Sequence, residues 1–244
     1  MKYNTRQEEK AVSKESCKKR NFKGIPTMTM GLLLIAVALV LACYNIWDEQ
    51  RAGAASDDLL TQLESVIISG IQDDAVESGA NQGSSVNSSA LQPEEQPLYV
   101  QNPGMEMPVI TIDREDYIGT LSIPNLDLTL PVLDDWSYPK LKKAPCRYVG
   151  SVYQDDMVIA AHNYTTHFGS INKLRSGDKV TFKDADGNTF IYEVIDLEIL
   201  QPTDVEEMQT GDWDLTLFTC TLGGSTRVTV RCEKVDELPA DMAR

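Results

Sequence analysis

From residue 113 onward, apolar and polar residues alternate in short runs that turn-forming residues separate. Alternation with a period of two is typical of strands that bury one face. Between two of these runs, Asp184-Ala185-Asp186-Gly187-Asn188 predicts a hairpin turn, because its glycine can adopt a positive φ. The pattern indicates a mainly β domain at 113–237, a closed or nearly closed eight-stranded β-barrel with short helical turns, followed by a tail at 238–244. The predicted strands are 117–123, 128–133, 147–150, 157–161, 179–182, 190–196, 215–220 and 227–233, and the helical turns lie near 137–142 and 171–175.

The longest apolar run lies near the N-terminus, where Met28 to Tyr44 contains no charged residue. With Ile25 and Trp47 at its ends, the run reaches roughly the ~20 residues that a helix needs to cross hydrocarbon. Residues 1–26 hold eight Lys or Arg against three Glu, whereas the rest of the chain holds 14 basic and 34 acidic residues. The positive-inside rule therefore predicts a transmembrane anchor at 25–47, a cytoplasmic basic tail at 1–24 and an extracellular remainder. Nothing in that acidic remainder looks like a nucleic-acid footprint, which needs clustered Lys and Arg, so nucleic acid is not an expected partner.

Two other interpretations of the apolar run stay open. Ala52-Gly53-Ala54 fits the small-residue site of a cleaved signal peptide, although such peptides usually have an apolar core of only about 7–15 residues. Val40-Leu41-Ala42-Cys43 loosely resembles a lipoprotein box. A single uncleaved anchor in the cell membrane is the expectation.

Residues 48–112 are expected to form an extracellular tether. Ser56-Asp57-Asp58 is a helix start with acidic residues in its first turn, and apolar residues at helical spacing predict a short helix at 56–69. This helix packs on the downstream domain, on the membrane surface or on nothing. From residue 72 to about 107 the chain is rich in Ser, Asn, Gly, Gln, Glu and Pro. Such a segment cannot bury enough apolar surface to offset the entropy that it would lose on ordering, so it is expected to be a disordered tether.

Three polar residues with useful chemistry fall at strand ends. By alternation, His162 ends one predicted strand on the face opposite Met157 and Ile159, and Cys220 ends another on the face opposite Leu215 and Leu217. Arg227 begins the last strand and points away from its inward valines. A thiolate nucleophile, an imidazole that exchanges protons and a cation for the oxyanion suffice for acyl transfer. A structural Cys, a structural His and a solvated Arg would give the same pattern.

The motifs around these residues resemble those of the sortase family. Thr216-Leu217-Phe218-Thr219-Cys220, followed by Arg227-Val228-Thr229-Val230, resembles the sortase signature TLxTC with its downstream Arg. Ile159-Ala160-Ala161-His162-Asn163 resembles the strand-end histidine motif, in which Gly more often stands at the position of Ala161. The first strand, Tyr117-Ile118-Gly119-Thr120-Leu121-Ser122-Ile123-Pro124, is similar as well, and the resemblance extends over residues 113–235.

The resemblance implies a sortase-type barrel and a cysteine transpeptidase. Such an enzyme cleaves an LPXTG-like sorting signal of a surface protein through a thioester on Cys220, with His162 as its partner and Arg227 as oxyanion stabiliser. The acceptor is an amine of a peptidoglycan precursor or a pilin lysine. Thr219 is expected to help orient the oxyanion or substrate, and no cofactor or metal is expected. The short connection between residues 200 and 215 lacks room for a class B insertion. Classes D, E and A stay open, and a class D-like or unassigned sortase is the expectation.

Two questions stay open at the level of the sequence. Cys146 and Cys232 either pair outside the cell or stay as two buried thiols. The domain could also be a membrane-tethered barrel that binds without catalysis, or a hydrolytic cysteine protease.

Overall fold

The computed structural model of the protein describes residues 24–77 and 96–235. The chain folds as two compact units that divide between Trp47 and Asp48. The helices are α1 (Gly24–Glu77), α2 (Leu98–Gln101), α3 (Tyr138–Leu141) and α4 (Val205–Gln209). The strands are β1 (Ile110–Ile112), β2 (Glu115–Ile123), β3 (Leu128–Leu133), β4 (Cys146–Val149), β5 (Met157–Ala161), β6 (Lys179–Asp184), β7 (Thr189–Leu200), β8 (Leu215–Cys220) and β9 (Arg227–Lys234).

Helix α1 contains the apolar run that the sequence places at 25–47. Among the described residues, it is the one helix long and apolar enough to cross a membrane. The apolar window has a mean hydropathy of 2.2 and none of it is buried. The predicted separate helix at 56–69 is instead part of this single helix, which does not end before Glu77. Residues 48–55 include Glu, Gln, Arg and three Ala and contain no Pro, so their helix propensity lets the helix continue.

The part of α1 beyond Trp47 packs on the barrel. Leu63 and Ile67 are buried in a cluster with apolar residues of β1, β2, β3 and β4. Burial of two such side chains contributes about 2 kcal/mol each. Residues 48–69 are therefore a docked helix and not a tether. The disordered stretch predicted from residue 72 to about 107 is also wrong at both ends, because α1 continues to Glu77 and Met107 is buried in the barrel core. Residues 78–95 of that stretch, the predicted basic tail up to residue 23 and the C-terminal tail at 238–244 lie outside the described residues.

The strands close into a barrel. Their order is β1-β2-β3-β4-β5-β8-β9-β7-β6, and an additional pairing of β2 with β6 closes the circle over eight strands. The predicted closed eight-stranded barrel is confirmed, and β1 is a short extra strand on β2. The turn between β1 and β2 uses Asp113 and Arg114 at φ 51° and 68°, where Gly or Asn is usual, so the sequence carries no strong hairpin signal there.

The barrel interior follows the predicted alternation. Met157 and Ile159 of β5, Leu217 of β8 and Val230 of β9 lie in one large buried cluster. The opposite faces of β5 and β8 form part of the outer wall, where Val158 and Phe218 pack with residues of β7 and α4. A cleft on this wall can therefore be built from the outward residues of β5, β8 and β9.

The two cysteines whose pairing the sequence left open are both free and buried. Cys146 belongs to the cluster under α1, and Cys232 belongs to the barrel interior. Burial raises the pKa of each thiol to about 12, so both stay protonated and unreactive at neutral pH.

Candidate active site

Strands β8 and β9 place Cys220 directly opposite Arg227. The antiparallel register pairs these two residues at the end of the hairpin. The connecting turn is closed by the backbone bond from Thr221 N to Thr226 O at 2.9 Å and by the two threonine hydroxyls at 3.0 Å. The cysteine and the arginine are thus held as cross-strand neighbours by a short, well-bonded turn.

Arg227 is half-buried and keeps part of its guanidinium for a ligand. Its Nη1 donates to the carbonyl oxygens of Gly224 and Thr226, each at 3.1 Å. Gly224 has φ 75°, a value that suits glycine and lets its carbonyl turn toward the arginine. These bonds fix the plane of the fork while Nε and Nη2 have no protein partner among the described residues, so they are available to an oxyanion.

Strand β5 brings His162 to the same edge of the barrel. β5 runs parallel to β8, with Ala161 paired to Thr219, so their carboxyl ends meet at one edge. His162 follows Ala161 directly and therefore lies beside Cys220. Adjacent strands are about 4.8 Å apart, which flanks Cys220 with His162 on one side and Arg227 on the other.

Thr219 fastens this arrangement. Its buried hydroxyl donates to the carbonyl oxygen of Ala161 at 2.8 Å. The proton is thereby committed to the backbone of β5 and is not free to reach an oxyanion. Thr219 ties the strand that carries the histidine to the strand that carries the thiol.

His162 is half-buried, and its surroundings favour the neutral ring. Its Nε2 is buried and has no hydrogen-bond partner in the part of the chain that the structure describes. Burial lowers the pKa of His162, the nearby Lys142 lowers it further, and Asp48 raises it. The imidazole is therefore neutral at neutral pH and can accept a proton.

The other histidine has a structural position. His167 is fully buried, both of its ring nitrogens lack partners within residues 24–77 and 96–235, and burial lowers its pKa to about 4. Its side chain is not among those lining the cleft that contains Cys220. The structure thus brings together Cys220, His162 and Arg227 and leaves His167 in the packing beneath the loop.

The cleft in front of these residues has a volume of about 180 Å³ and an aromatic wall. Trp136 and Tyr148 have ring centroids 5.3 Å apart, and Tyr148 meets Phe218 edge-on at 5.3 Å. Val205 and Met208 of α4 complete the apolar lining. Neither α4 nor this wall was predicted from the sequence; the outward position of Phe218, two residues before Cys220 on the same strand, was the available signal.

Arg231, on the same strand as Arg227, is buried in a separate network. Its Nε donates to Glu198 Oε1 at 2.6 Å, and its Nη atoms donate to Thr216 Oγ1 and to the carbonyl oxygens of Met208 and Glu207. The guanidinium thus holds α4 against β7, β8 and β9 from beneath the cleft. Among the described residues, no group of three or more His, Cys, Asp or Glu could hold a metal ion.

The sequence of the barrel is similar to that of known proteins. Residues 121–235 match the family model of the sortase domain. Sortase A of Bacillus anthracis is 28% identical over 116 residues, which cover 45% of this chain and 55% of the relative, so the match spans about half of that protein's length.

Two solved structures are similar in part. Sortase C1 of Streptococcus suis is 27% identical with a TM-score of 0.44, covering 52% of this chain and 76% of that one. A Clostridium perfringens sortase D5 transpeptidase is 20% identical with a TM-score of 0.45, covering 50% and 80%. The class D-like assignment stays a prediction. Residues 121–235 of the chain therefore carry the features of a sortase domain.

Proposed function

We propose that this chain is a membrane-anchored cysteine transpeptidase that cleaves an LPXTG-like sorting signal and transfers its acyl group to an amine. The observation that carries the proposal is the side-by-side placement of His162, Cys220 and Arg227 on adjacent strands at the mouth of one apolar cleft. A binding module would need the barrel and the cleft but none of these three residues, and it is therefore not favoured.

The first half-reaction forms a thioester. His162, neutral before the reaction, accepts the proton of the Cys220 thiol and becomes an imidazolium. The Cys220 thiolate then attacks, its sulfur forming a bond to the carbonyl carbon of the signal's threonine while the π electrons move to the oxygen. Arg227 donates to that oxyanion from Nε or Nη2. The tetrahedral intermediate then expels the amine of the following glycine, which takes a proton from the His162 imidazolium.

The second half-reaction resolves the thioester. An acceptor amine, from a peptidoglycan precursor or a pilin lysine, attacks the same carbonyl and gives up a proton to His162. The oxyanion forms again at Arg227 and collapses with loss of the Cys220 thiolate, which leaves an amide product. Thr219 contributes by position, since its bond to Ala161 keeps the histidine strand in register with the cysteine strand.

The anchor places this chemistry outside the cell. We assign residues 25–47 of α1 to the membrane and the basic residues 1–24 to the cytoplasm, because the positive-inside rule orients the helix that way. The catalytic domain then meets surface proteins on the outer side. Protease added to intact cells should spare residues 1–24 and cut after Trp47, while a mature chain beginning after Ala54, or one lipidated at Cys43, would contradict this topology.

The decisive experiment uses the full chain in detergent micelles with a library of sorting peptides and candidate amines, read by mass spectrometry. The expected result is a peptide thioester on Cys220 and an amide product that depends on the amine. Cys220→Ala is the matched control and should give neither. Free acid with every amine would identify a hydrolytic protease, and tight peptide binding without any cleavage would identify a binding module.

A further inference from the structure

The loop that follows His162 is held by helix α1. Tyr164 Oη donates to Asp48 Oδ2 at 2.8 Å, and both the backbone N–H and the hydroxyl of Thr165 donate to Glu49 Oε1. At Gly53, a Cβ would come within 2.8 Å of Thr166 Cγ2, so the helix backbone closely approaches the loop. Three successive loop residues thus contact the first turns of α1 beyond Trp47.

Residues of the same loop also contact His162. The rings of Tyr164 and His162 have centroids 5.0 Å apart, and Tyr164 lies 5.5 Å from the ring of buried His167. The carbonyl of His162 accepts from Phe168 N at 3.1 Å, and the carbonyl of Tyr164 accepts from His167 N and Gly169 N. Tyr164 is therefore the residue that joins the α1 contact to the imidazole.

We propose that Asp48 is a positioning residue for the reaction, because it anchors Tyr164 and through the Tyr164 ring fixes the His162 imidazole against Cys220. The proposal rests on the proposed function, in which His162 exchanges protons with the thiol and the amines. It assigns a role to the membrane-proximal turn of α1 that does not involve substrate contact. It also makes this turn part of the catalytic unit.

The physical reason is that a strand-end histidine on an otherwise irregular loop needs a fixed ring position. Proton transfer requires heavy-atom separations near 3 Å, and a misplacement of about 1 Å can cost on the order of 100-fold in rate. A tyrosine bonded to a carboxylate supplies a rigid wall for the imidazole, because a charge-assisted hydrogen bond is roughly twice as strong as a neutral one. Asp48 also adds a negative charge that favours the imidazolium needed to protonate the leaving amine.

Other charged or titratable groups surround His162, and of these Lys142 lowers its pKa while Asp48 raises it. They come from every element packed around the loop: Asp48 and Glu49 on α1, Lys142 after α3, His167 in the loop itself, Cys220 on β8 and Arg227 on β9. Of these, Asp48 combines a negative charge with a direct bond to the residue that touches the imidazole. A variant at Asp48 should therefore change both the rate and the titration of His162.

The experiment compares full-length Asp48→Asn, Tyr164→Phe and the double variant with the wild type in micelles. Asp58→Asn is the matched control, because Asp58 is exposed on the same helix and accepts its hydrogen bond from Gln62 one turn away. Three measurements are made: kcat and KM for sorting-peptide transfer, the unfolding temperature, and the NMR titration of the histidine rings. The chain contains only two histidines, so the titration gives two resolvable signals.

The expected result is a fall in kcat of about tenfold or more with KM unchanged for each single variant, and no further loss in the double variant. The His162 titration midpoint should move to lower pH in Asp48→Asn and stay in place in Asp58→Asn. Wild-type kcat with an unmoved midpoint would overturn the proposal. So would a loss of kcat that is additive in the double variant and tracks the unfolding temperature, because that pattern is purely structural. If the wild type forms no acyl-enzyme, the proposed function fails. The NMR titration still tests the Asp48 contact in that case: a His162 midpoint that moves in Asp48→Asn supports the contact, and an unmoved midpoint contradicts it.

Discussion

Arg227 and Arg231 lie on the same face of β9, but their substitution should have different effects. Arg227→Ala removes the donor opposite Cys220, and turnover should fall on the order of 10²–10³-fold. The fold should survive, because the hydrogen bonds of Arg227 go to two carbonyls of its own turn, in which residues 222–225 are exposed. Arg227→Lys should rescue poorly, since lysine keeps the charge and loses the planar fork.

Arg231 lies four residues further along, about 13 Å from Arg227 at roughly 3.3 Å per residue, and cannot reach the same oxyanion. Its side chain is 2% exposed and bonds to Glu198, Thr216 and two α4 carbonyls. Breaking a buried ion pair costs about 3–5 kcal/mol, and we expect the lower end because Glu198 is one-third exposed. Arg231→Ala should therefore lower the unfolding temperature by on the order of 10 °C and keep most activity below that transition.

The assay measures two quantities for each variant under the same conditions. Single-turnover formation of the Cys220 thioester, followed by mass spectrometry, reports the chemical step, and thermal unfolding reports the fold. The reasoning is refuted if Arg231→Ala abolishes thioester formation while the protein remains folded. It is equally refuted if Arg227→Ala acylates at the wild-type rate.

The proposed catalytic pair, the docked helix and the buried histidine can each be tested as well. Cys220→Ala should remove all peptide cleavage and His162→Ala nearly all of it, at unchanged unfolding temperature. Cleavage at the wild-type rate in either variant would contradict the assignment. A chain that starts at residue 96 should unfold at a lower temperature than one that starts at residue 48, because the loss of two buried α1 side chains removes about 2 kcal/mol each; coincident transitions would contradict the docking of α1. Buried His167 has a pKa of about 4 against an ordinary 6.5, so the unfolded chain binds more protons between these values and stability falls by about 3 kcal/mol as pH drops from 6.5 to 4. His167→Leu should remove that part of the pH dependence without loss of activity at neutral pH, as urea unfolding at each pH would show.

The barrel and the strand-end residues were predictable because both depend on local alternation. A period of two assigns Leu217 inward and Phe218 outward whatever the tertiary context, and the structure has them so. The cross-strand position of Cys220 and Arg227 follows from a short turn, since register in a hairpin is set by the turn. These features need only the sequence within a few residues of each position.

Features that depend on contacts between distant segments were not predictable. Alternation places Arg231 on the outward face of β9 together with Arg227. Its burial comes from α4, a helix of five residues with too little periodicity to recognise in the sequence. Likewise, Leu63 and Ile67 are core residues only because α1 docks on β1–β4, and a helical stripe alone does not say what covers it. The β1 hairpin was missed because Arg114 occupies a left-handed position that usually takes glycine or asparagine.

The strand order explains why Cys220, the proposed nucleophile, has His162 on one side and Arg227 on the other. β8 lies between β5, to which it is parallel, and β9, to which it is antiparallel. The carboxyl ends of parallel strands lie at the same edge of a sheet, so β5 ends beside the end of β8, and antiparallel β9 begins there. His162, which follows β5, and Arg227, the first residue of β9, therefore flank Cys220, the last residue of β8. Residues that are 58 apart in sequence, such as Ala161 and Thr219, are thereby locked by one hydrogen bond into the register on which this geometry depends. A one-residue slip of β5 against β8 would turn its inward side chains to the outer wall and break the core, so the packing of the barrel itself keeps His162 beside Cys220.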